Sequence, residues 1–186
     1  MRRLRRRSGA LTSELRTALV VEVPEAAPAV DGWRERTSPA KPSNGVPAHV
    51  TILFPFAPAA GVDDELLRGL QALFAGFPSF RFELRECRHF PAVLYLAPEP
   101  PEPFVSLTEA VVAAYPEFLP YEGVFDSVVP HLTAAEGEPA VLGRAERDVR
   151  QWLPIAAEAN EVVLLEEVEP DLARWRTHTR LSLGAP

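Results

Sequence analysis

Two segments of this chain, each about fifty residues long, repeat the same order of predicted elements. Each begins with a short strand that contains His-x-Thr, and a helix and further strands follow. In the first segment, residues 49–97, the motif is His49-Val50-Thr51, and in the second, residues 131–183, it is His131-Leu132-Thr133. The identity between the segments is slight, so the duplication rests on element order and on the repeated motif. Such a chain is expected to fold into two similar halves around a shared surface.

Hydrophobic spacing and turn residues predict the individual elements. The expected helices cover residues 63–77, 102–115 and 139–152, and Asp63 is the expected N-cap of the first. The expected strands cover residues 18–23, 49–54, 80–84, 93–96, 131–135, 159–168 and 175–183. Residues 24–47 are rich in Pro and Gly, which predicts a long loop that could close over a substrate.

Strand geometry places the His and the Thr of each motif on one face. Successive side chains of a strand alternate between faces, so residues two apart point the same way. His49 and Thr51 would face the shared surface while Val50 turns into the core, and His131 and Thr133 would do the same. Two simpler explanations remain open: a half-buried histidine bonded to a backbone carbonyl, and a threonine present for its strand propensity.

Two imidazoles and two hydroxyls suit the cleavage of a phosphodiester. One group must remove a proton from the nucleophile and another must protonate the leaving alkoxide, and imidazole serves either role near its usual pKa of about 6.5. Thr51 and Thr133 can donate hydrogen bonds to the non-bridging oxygens of the transition state. This chemistry requires no metal and no cofactor. The sequence leaves open which histidine is the acid and which is the base.

Three segments carry a resemblance to a known family. They are Val46-Pro47-Ala48-His49-Val50-Thr51-Ile52-Leu53-Phe54-Pro55-Phe56, Phe90-Pro91-Ala92-Val93-Leu94-Tyr95-Leu96-Ala97-Pro98 and Val129-Pro130-His131-Leu132-Thr133. Over residues 17–183 the chain resembles the two-histidine (2H) phosphoesterase superfamily, in particular its 2′-5′ RNA ligase-like or RNA 2′,3′-cyclic phosphodiesterase branch. The resemblance implies an α+β fold of two pseudo-symmetric lobes. Each lobe would be an antiparallel sheet with helices packed outside, and the two would form a central cleft.

The resemblance also implies an activity and a substrate class. The expected enzyme is a metal-independent phosphodiesterase that hydrolyses a 2′,3′-cyclic phosphate or a 2′-5′-linked nucleotide, either an RNA end or a small nucleotide. His49 and His131 would be the catalytic pair, and Thr51 and Thr133 would bind the phosphate. ADP-ribose 1″,2″-cyclic phosphate, or another small cyclic phosphate, is an alternative substrate. A non-catalytic module that binds RNA or a nucleotide is an alternative from another class.

Four other residues are candidates for substrate binding. Tyr95 could stack on a base or pack in the core, and Phe56 of the first motif segment is a second aromatic candidate. Arg34, in the predicted loop, and Arg176, in the last strand, could contact phosphate, although solvated surface is the simpler interpretation for both. The remaining histidines and the single cysteine have no supporting motif and are expected to be surface or packing residues: His89, His178 and Cys87.

Charge and composition narrow the partners and the compartment. Residues 1–16 contain six arginines and one glutamate, and are expected to be a disordered tail. The expected domain, residues 17–186, carries 13 basic against 25 acidic residues, which disfavours a long RNA footprint. A lone cysteine and the lack of a long apolar run predict a cytoplasmic protein outside the membrane, and a monomer is expected.

Overall fold

The computed structural model describes residues 15–118 and 129–185. These residues form strands and α-helices in the following order: β1 Thr17–Glu22, α1 Ala27–Thr37, β2 His49–Leu53, α2 Asp64–Phe74, β3 Phe80–Phe90, β4 Val93–Glu99, α3 Glu102–Ala114, β5 Leu132–Glu136, α4 Pro139–Val149, β6 Ile155–Ala159, β7 Glu161–Glu169 and β8 Arg174–Ser182.

The strands form two antiparallel sheets of four strands each, which confirms the predicted α+β fold with two lobes. The strand orders are β2-β1-β7-β8 and β5-β4-β3-β6. Each sheet therefore takes strands from both halves of the chain. The lobes do not coincide with the predicted repeat units 49–97 and 131–183, because β3 and β4 of the first unit lie in the same sheet as β5 of the second.

Two helices cross from one lobe to the other. Helix α1 follows β1 of the first sheet but packs on β5 of the second, and α3 follows β4 of the second sheet but packs on β2 of the first. The Thr108 hydroxyl of α3 donates a hydrogen bond of 2.9 Å to the Ile52 carbonyl of β2. One continuous apolar core, including Val50, Phe104 and Leu132, lies beneath these helices. The crossing helices thereby hold the two His-x-Thr strands in one packed unit.

The prediction of a long loop over residues 24–47 is wrong, because residues 27–37 form helix α1. Pro28 lies in the first turn of this helix, where a missing N–H costs no hydrogen bond. The buried stripe of the helix is Ala29, Val30 and Arg34. Because the buried stripe includes an arginine, the spacing of apolar residues alone does not predict this helix.

Smaller differences concern the ends of elements. The predicted strand over residues 159–168 corresponds to β7, and the preceding strand β6 was not predicted. The Asp63 cap is confirmed by a 2.9 Å hydrogen bond from the Leu66 amide to its carboxylate. Residues 1–14 of the predicted tail lie outside the described residues. Arg16, however, belongs to the fold, since its guanidinium bonds the Glu167 carboxylate at 2.8 and 3.0 Å. Within the described residues, no helix has the length and apolar character that a membrane crossing requires.

Candidate active site

A cleft of about 960 Å³ lies between the two sheets. His49 and Thr51 line it from the first lobe, and His131 and Thr133 line it from the second. The structure thus brings together the four side chains that strand parity placed on a shared surface. The charge of a protonated His131 lowers the pKa of His49, so the two imidazoles are close enough to interact electrostatically.

Matching β-bulges follow the two motifs. Opposite β1, Thr51 pairs with Val20 while Leu53 pairs with Leu19, so Ile52 is the extra residue. Opposite β4, Thr133 pairs with Tyr95 and Ala135 pairs with Leu94, so Ala134 is the extra residue. A bulge shifts the alternation of side chains by one position. The third residue after each threonine therefore also faces the cleft: Phe54 in the first lobe and Glu136 in the second.

Both imidazoles are anchored in the same way. His49 Nδ1 lies 2.7 Å from the Pro47 carbonyl oxygen, and His131 Nδ1 lies 2.8 Å from the Val129 carbonyl oxygen. A carbonyl oxygen only accepts hydrogen bonds, so Nδ1 carries the proton in each ring. Each Nε2 is then the nitrogen that can take up or release a proton at a bound phosphate. A carbonyl bond of this kind orients the ring as well as satisfying it.

Aromatic packing fixes the second imidazole. Phe90 and Tyr95 stack with centroids 4.2 Å apart, and both contact the His131 ring edge-on, at 5.1 and 5.6 Å. Tyr95 is only 5% exposed, and Phe90 is the ring of this pair that lines the cleft. Of the two interpretations of Tyr95, packing therefore fits its position, and its ring contact restricts the orientation of the His131 imidazole.

Burial keeps both histidines neutral at neutral pH. It lowers the pKa of His49 to about 4, and the charges of Arg34 and His131 act in the same direction. Burial also lowers the pKa of His131, against the opposing hydrogen bond to the Val129 carbonyl. The free cleft thus presents two Nε2 lone pairs. An anion bound beside them would raise the pKa of a nearby imidazole and favour its protonation.

The low pKa of His49 predicts a pH-dependent stability. An unfolded chain binds a proton at His49 below about pH 6.5, while the folded chain does so only below about 4. The free energy of unfolding should therefore have its full value above pH 6.5 and decrease as the pH drops toward 4. Urea unfolding between pH 7 and 4.5 should show a shallower loss for His49→Asn than for the wild type. Equal losses would show that folding does not lower the pKa of His49.

Arg34 is buried beside the first motif, so its interpretation as a solvated loop residue is wrong. It is 2% exposed and lines the cleft from α1. Its guanidinium donates to the Asp31 carboxylate at 2.9 Å and to the carbonyls of Ala40 and Val46 at 2.7 and 3.0 Å. It therefore fixes the segment that leads into His49 and supplies a permanent positive charge near that ring. Burial lowers the pKa of Arg34, and the Asp31 carboxylate opposes the shift.

The structure does not bring the other predicted binding residues to the cleft. Phe56 is 4% exposed and packs edge-on against Phe118 in the core, with centroids 5.0 Å apart. Arg176 is exposed and bonds Glu166 at 2.9 Å. His89, which was predicted to be a surface or packing residue, pairs with Glu146 at 3.0 Å and does not line the cleft.

An aromatic pair that sequence reasoning missed forms one wall of the cleft. Phe54 and Trp175 meet edge-on with centroids 5.9 Å apart, and both line the cleft. The Arg16 guanidinium lies 5.2 Å from the centre of the Phe54 ring. Phe54 stands in the first motif segment, but the bulge that turns it toward the cleft has no mark in the sequence. Trp175 reaches the site only through the pairing of β8 with β7.

Among the described residues, the other polar side chains that line the cleft are Arg34, Ser38 and Glu136. Within residues 15–118 and 129–185, no group of three or more His, Cys, Asp or Glu side chains is arranged to hold a metal ion. These residues supply the cleft with imidazoles, hydroxyls, one guanidinium and one carboxylate.

Comparisons with known proteins agree with this architecture. TT0787 of Thermus thermophilus is 24% identical with a TM-score of 0.62, over 91% of this chain and 98% of that chain. Escherichia coli LigT, solved with NADP+, is 18% identical with a TM-score of 0.56, over 92% of this chain and 98% of that chain. These structures share the fold.

Two further comparisons used the sequence alone. No curated protein matches this chain. The sequence model of the 2′-5′ RNA ligase superfamily matches residues 22–171. That match confirms the resemblance carried by the two His-x-Thr motifs, and the chain belongs to the 2′-5′ RNA ligase superfamily of two-histidine phosphoesterases.

Proposed function

We propose that this protein is a metal-independent phosphodiesterase that hydrolyses a 2′,3′-cyclic phosphate or a 2′-5′-linked nucleotide. The observation that carries the proposal is the matched pair of imidazoles in one cleft. Each is anchored through Nδ1 to a backbone carbonyl, and each has a threonine hydroxyl beside it. Membership of a phosphoesterase family supports the same reaction class.

In the proposed reaction the phosphate lies between the two Nε2 atoms. One imidazole removes a proton from water as its oxygen attacks phosphorus. The other, protonated, gives its proton to the leaving ribose oxygen as the P–O bond breaks. Thr51 and Thr133 donate hydrogen bonds to the non-bridging oxygens, where negative charge grows.

The electrostatics support one assignment of the two roles. The positive charges of Arg34 and His131 add to burial in lowering the pKa of His49, whereas at His131 burial is the cause that lowers it. The proton that enters with the substrate anion therefore resides on His131. His49 acts as the base and His131 as the acid in the hydrolytic direction, and the roles exchange in ligation.

The walls of the cleft suit a nucleoside. Phe54 and Trp175 of the first lobe and Phe90 of the second provide flat apolar surfaces in the cleft, and aromatic faces bind bases by stacking. Escherichia coli LigT has been solved with 3′-AMP and with ATP, which makes nucleotides the first ligands to test. The excess of acidic residues in the domain favours a small nucleotide or an RNA end over a long RNA. The protein would act on it as a cytoplasmic monomer.

Product analysis tests the proposal. The purified protein is incubated with 2′,3′-cyclic AMP, a 2′-5′-linked dinucleotide and ADP-ribose 1″,2″-cyclic phosphate, with and without EDTA. We expect conversion of at least one substrate to a phosphomonoester, which the dinucleotide releases together with one nucleoside, at a rate that EDTA leaves unchanged. Activity abolished by EDTA would contradict the metal-independent mechanism. Saturable binding without turnover of any substrate would favour the non-catalytic module.

A further inference from the structure

A carboxylate faces the cleft beside the second motif. In a regular strand, Glu136 would point away from Thr133, because it lies three positions further along and side chains alternate between faces. The bulge at Ala134 reverses this, so that Glu136 pairs with Val93 and lines the cleft on the same side as Thr133. Acidic side chains are unfavourable near a bound phosphate, so the position of Glu136 calls for a role other than phosphate binding.

The end of helix α1 holds this carboxylate in place. The Ser38 hydroxyl donates to one carboxylate oxygen of Glu136 at 2.5 Å, and Ser38 is only 6% exposed. The backbone N–H of Glu136 donates to the Thr37 hydroxyl at 3.2 Å. Within the described part of the chain, the second carboxylate oxygen accepts no hydrogen bond. Glu136 is thus a rigid acceptor with one oxygen available to a ligand.

Glu136 also sets the charge of the cleft. Of the described side chains that line it, the acidic and basic ones are Glu136 and Arg34, and they interact electrostatically. Asp31 and two backbone carbonyls already bind the Arg34 guanidinium. With both histidines neutral, the two charges cancel. One protonated imidazole then matches a phosphodiester, which carries a single negative charge, whereas a second phosphate nearby would meet uncompensated repulsion.

We propose that Glu136, held by Ser38, forms a specificity subsite. Its free oxygen accepts a hydrogen bond from an uncharged N–H or O–H group of the substrate, and its charge excludes substrates with a second phosphate near the scissile one. The inference rests on the proposed function and narrows it to singly charged nucleoside phosphodiesters. The donor is a nucleobase amino group or a sugar hydroxyl.

The test compares kcat/KM of the wild type and Glu136→Gln across matched substrates. Adenosine and purine riboside 2′,3′-cyclic phosphates differ only by an amino donor, and a 5′-deoxy analogue lacks the sugar hydroxyl. Adenosine 2′,3′-cyclic phosphate with and without a 5′-phosphate measures the exclusion of charge. Glu138→Gln is the matched control, because it makes the same change two residues away at an exposed position that does not line the cleft.

We expect the wild type to prefer a donor-bearing substrate over its matched partner by about tenfold or more, as for a hydrogen bond to a charged group. Glu136→Gln keeps an acceptor for Ser38 but turns an amide N–H₂ toward the ligand, so this preference should vanish. The penalty for the 5′-phosphate should shrink by about tenfold. Ser38→Ala should weaken the preference in the same direction, through KM more than kcat.

The ratio that changes identifies the donor as base or sugar. The subsite proposal is overturned if Glu136→Gln leaves either the donor preference or the 5′-phosphate penalty as Glu138→Gln leaves it. If the wild type hydrolyses none of the substrates, calorimetric affinities for the same set replace kcat/KM. Selectivity that Glu136→Gln abolishes in binding would then support the subsite while the proposed catalytic function fails.

Discussion

Replacing either cleft histidine with alanine should lower kcat on a 2′,3′-cyclic nucleotide by about 10²–10⁴-fold, the usual contribution of a general acid or base. His49 and His131 each present an Nε2 to the cleft, and within the described part of the chain no other imidazole lines it. Water must then supply the missing proton transfer. Steady-state kinetics at saturating substrate measure the loss directly.

The pH profile of each variant separates the two roles. Loss of the base, His49, should remove the acid limb of the kcat profile, and loss of the acid, His131, should remove the alkaline limb. The matched control is His89→Ala, because His89 pairs with Glu146 away from the cleft. Near wild-type kcat in either cleft variant would remove that histidine from the mechanism. Reversed pH limbs would exchange the two assignments.

Replacing either cleft threonine with valine should lower kcat by about 10²–10³-fold, the cost of losing one donor to a developing oxyanion. Valine keeps the shape and the strand propensity of threonine, so the substitution removes the hydroxyl and little else. Thr51→Ser and Thr133→Ser retain the donor and should recover most of the activity. Urea unfolding of the same variants checks that the fold is preserved.

Thr179→Val is the control for the threonine series, because Thr179 pairs with Leu164 and lies outside the cleft lining. It should leave kcat unchanged. A rise in KM with unchanged kcat in Thr51→Val or Thr133→Val would show that the hydroxyl binds substrate and transition state equally. That outcome would contradict its role as a donor that acts in the transition state.

Part of the fold could be predicted because local patterns report it directly. The Asp63 cap and the apolar period of α2 mark that helix, and the strand with His49 and Thr51 is visible from its β-branched residues. Helix α1 was not predicted, because its buried stripe includes Arg34, whose guanidinium forms hydrogen bonds with Asp31 and two backbone carbonyls. A sequence shows the charge of such a residue but not the partners that allow its burial.

The sequence alone determined the two His-x-Thr motifs, the face that each pair occupies and the chemistry that the four side chains can perform. These properties depend on strand parity and on functional groups, which are local. Three features follow from tertiary packing instead: strands of both halves share each sheet, α1 and α3 cross between the lobes, and bulges turn Phe54 and Glu136 into the cleft. Those features depend on pairing between distant segments, whose register no stretch of sequence specifies by itself.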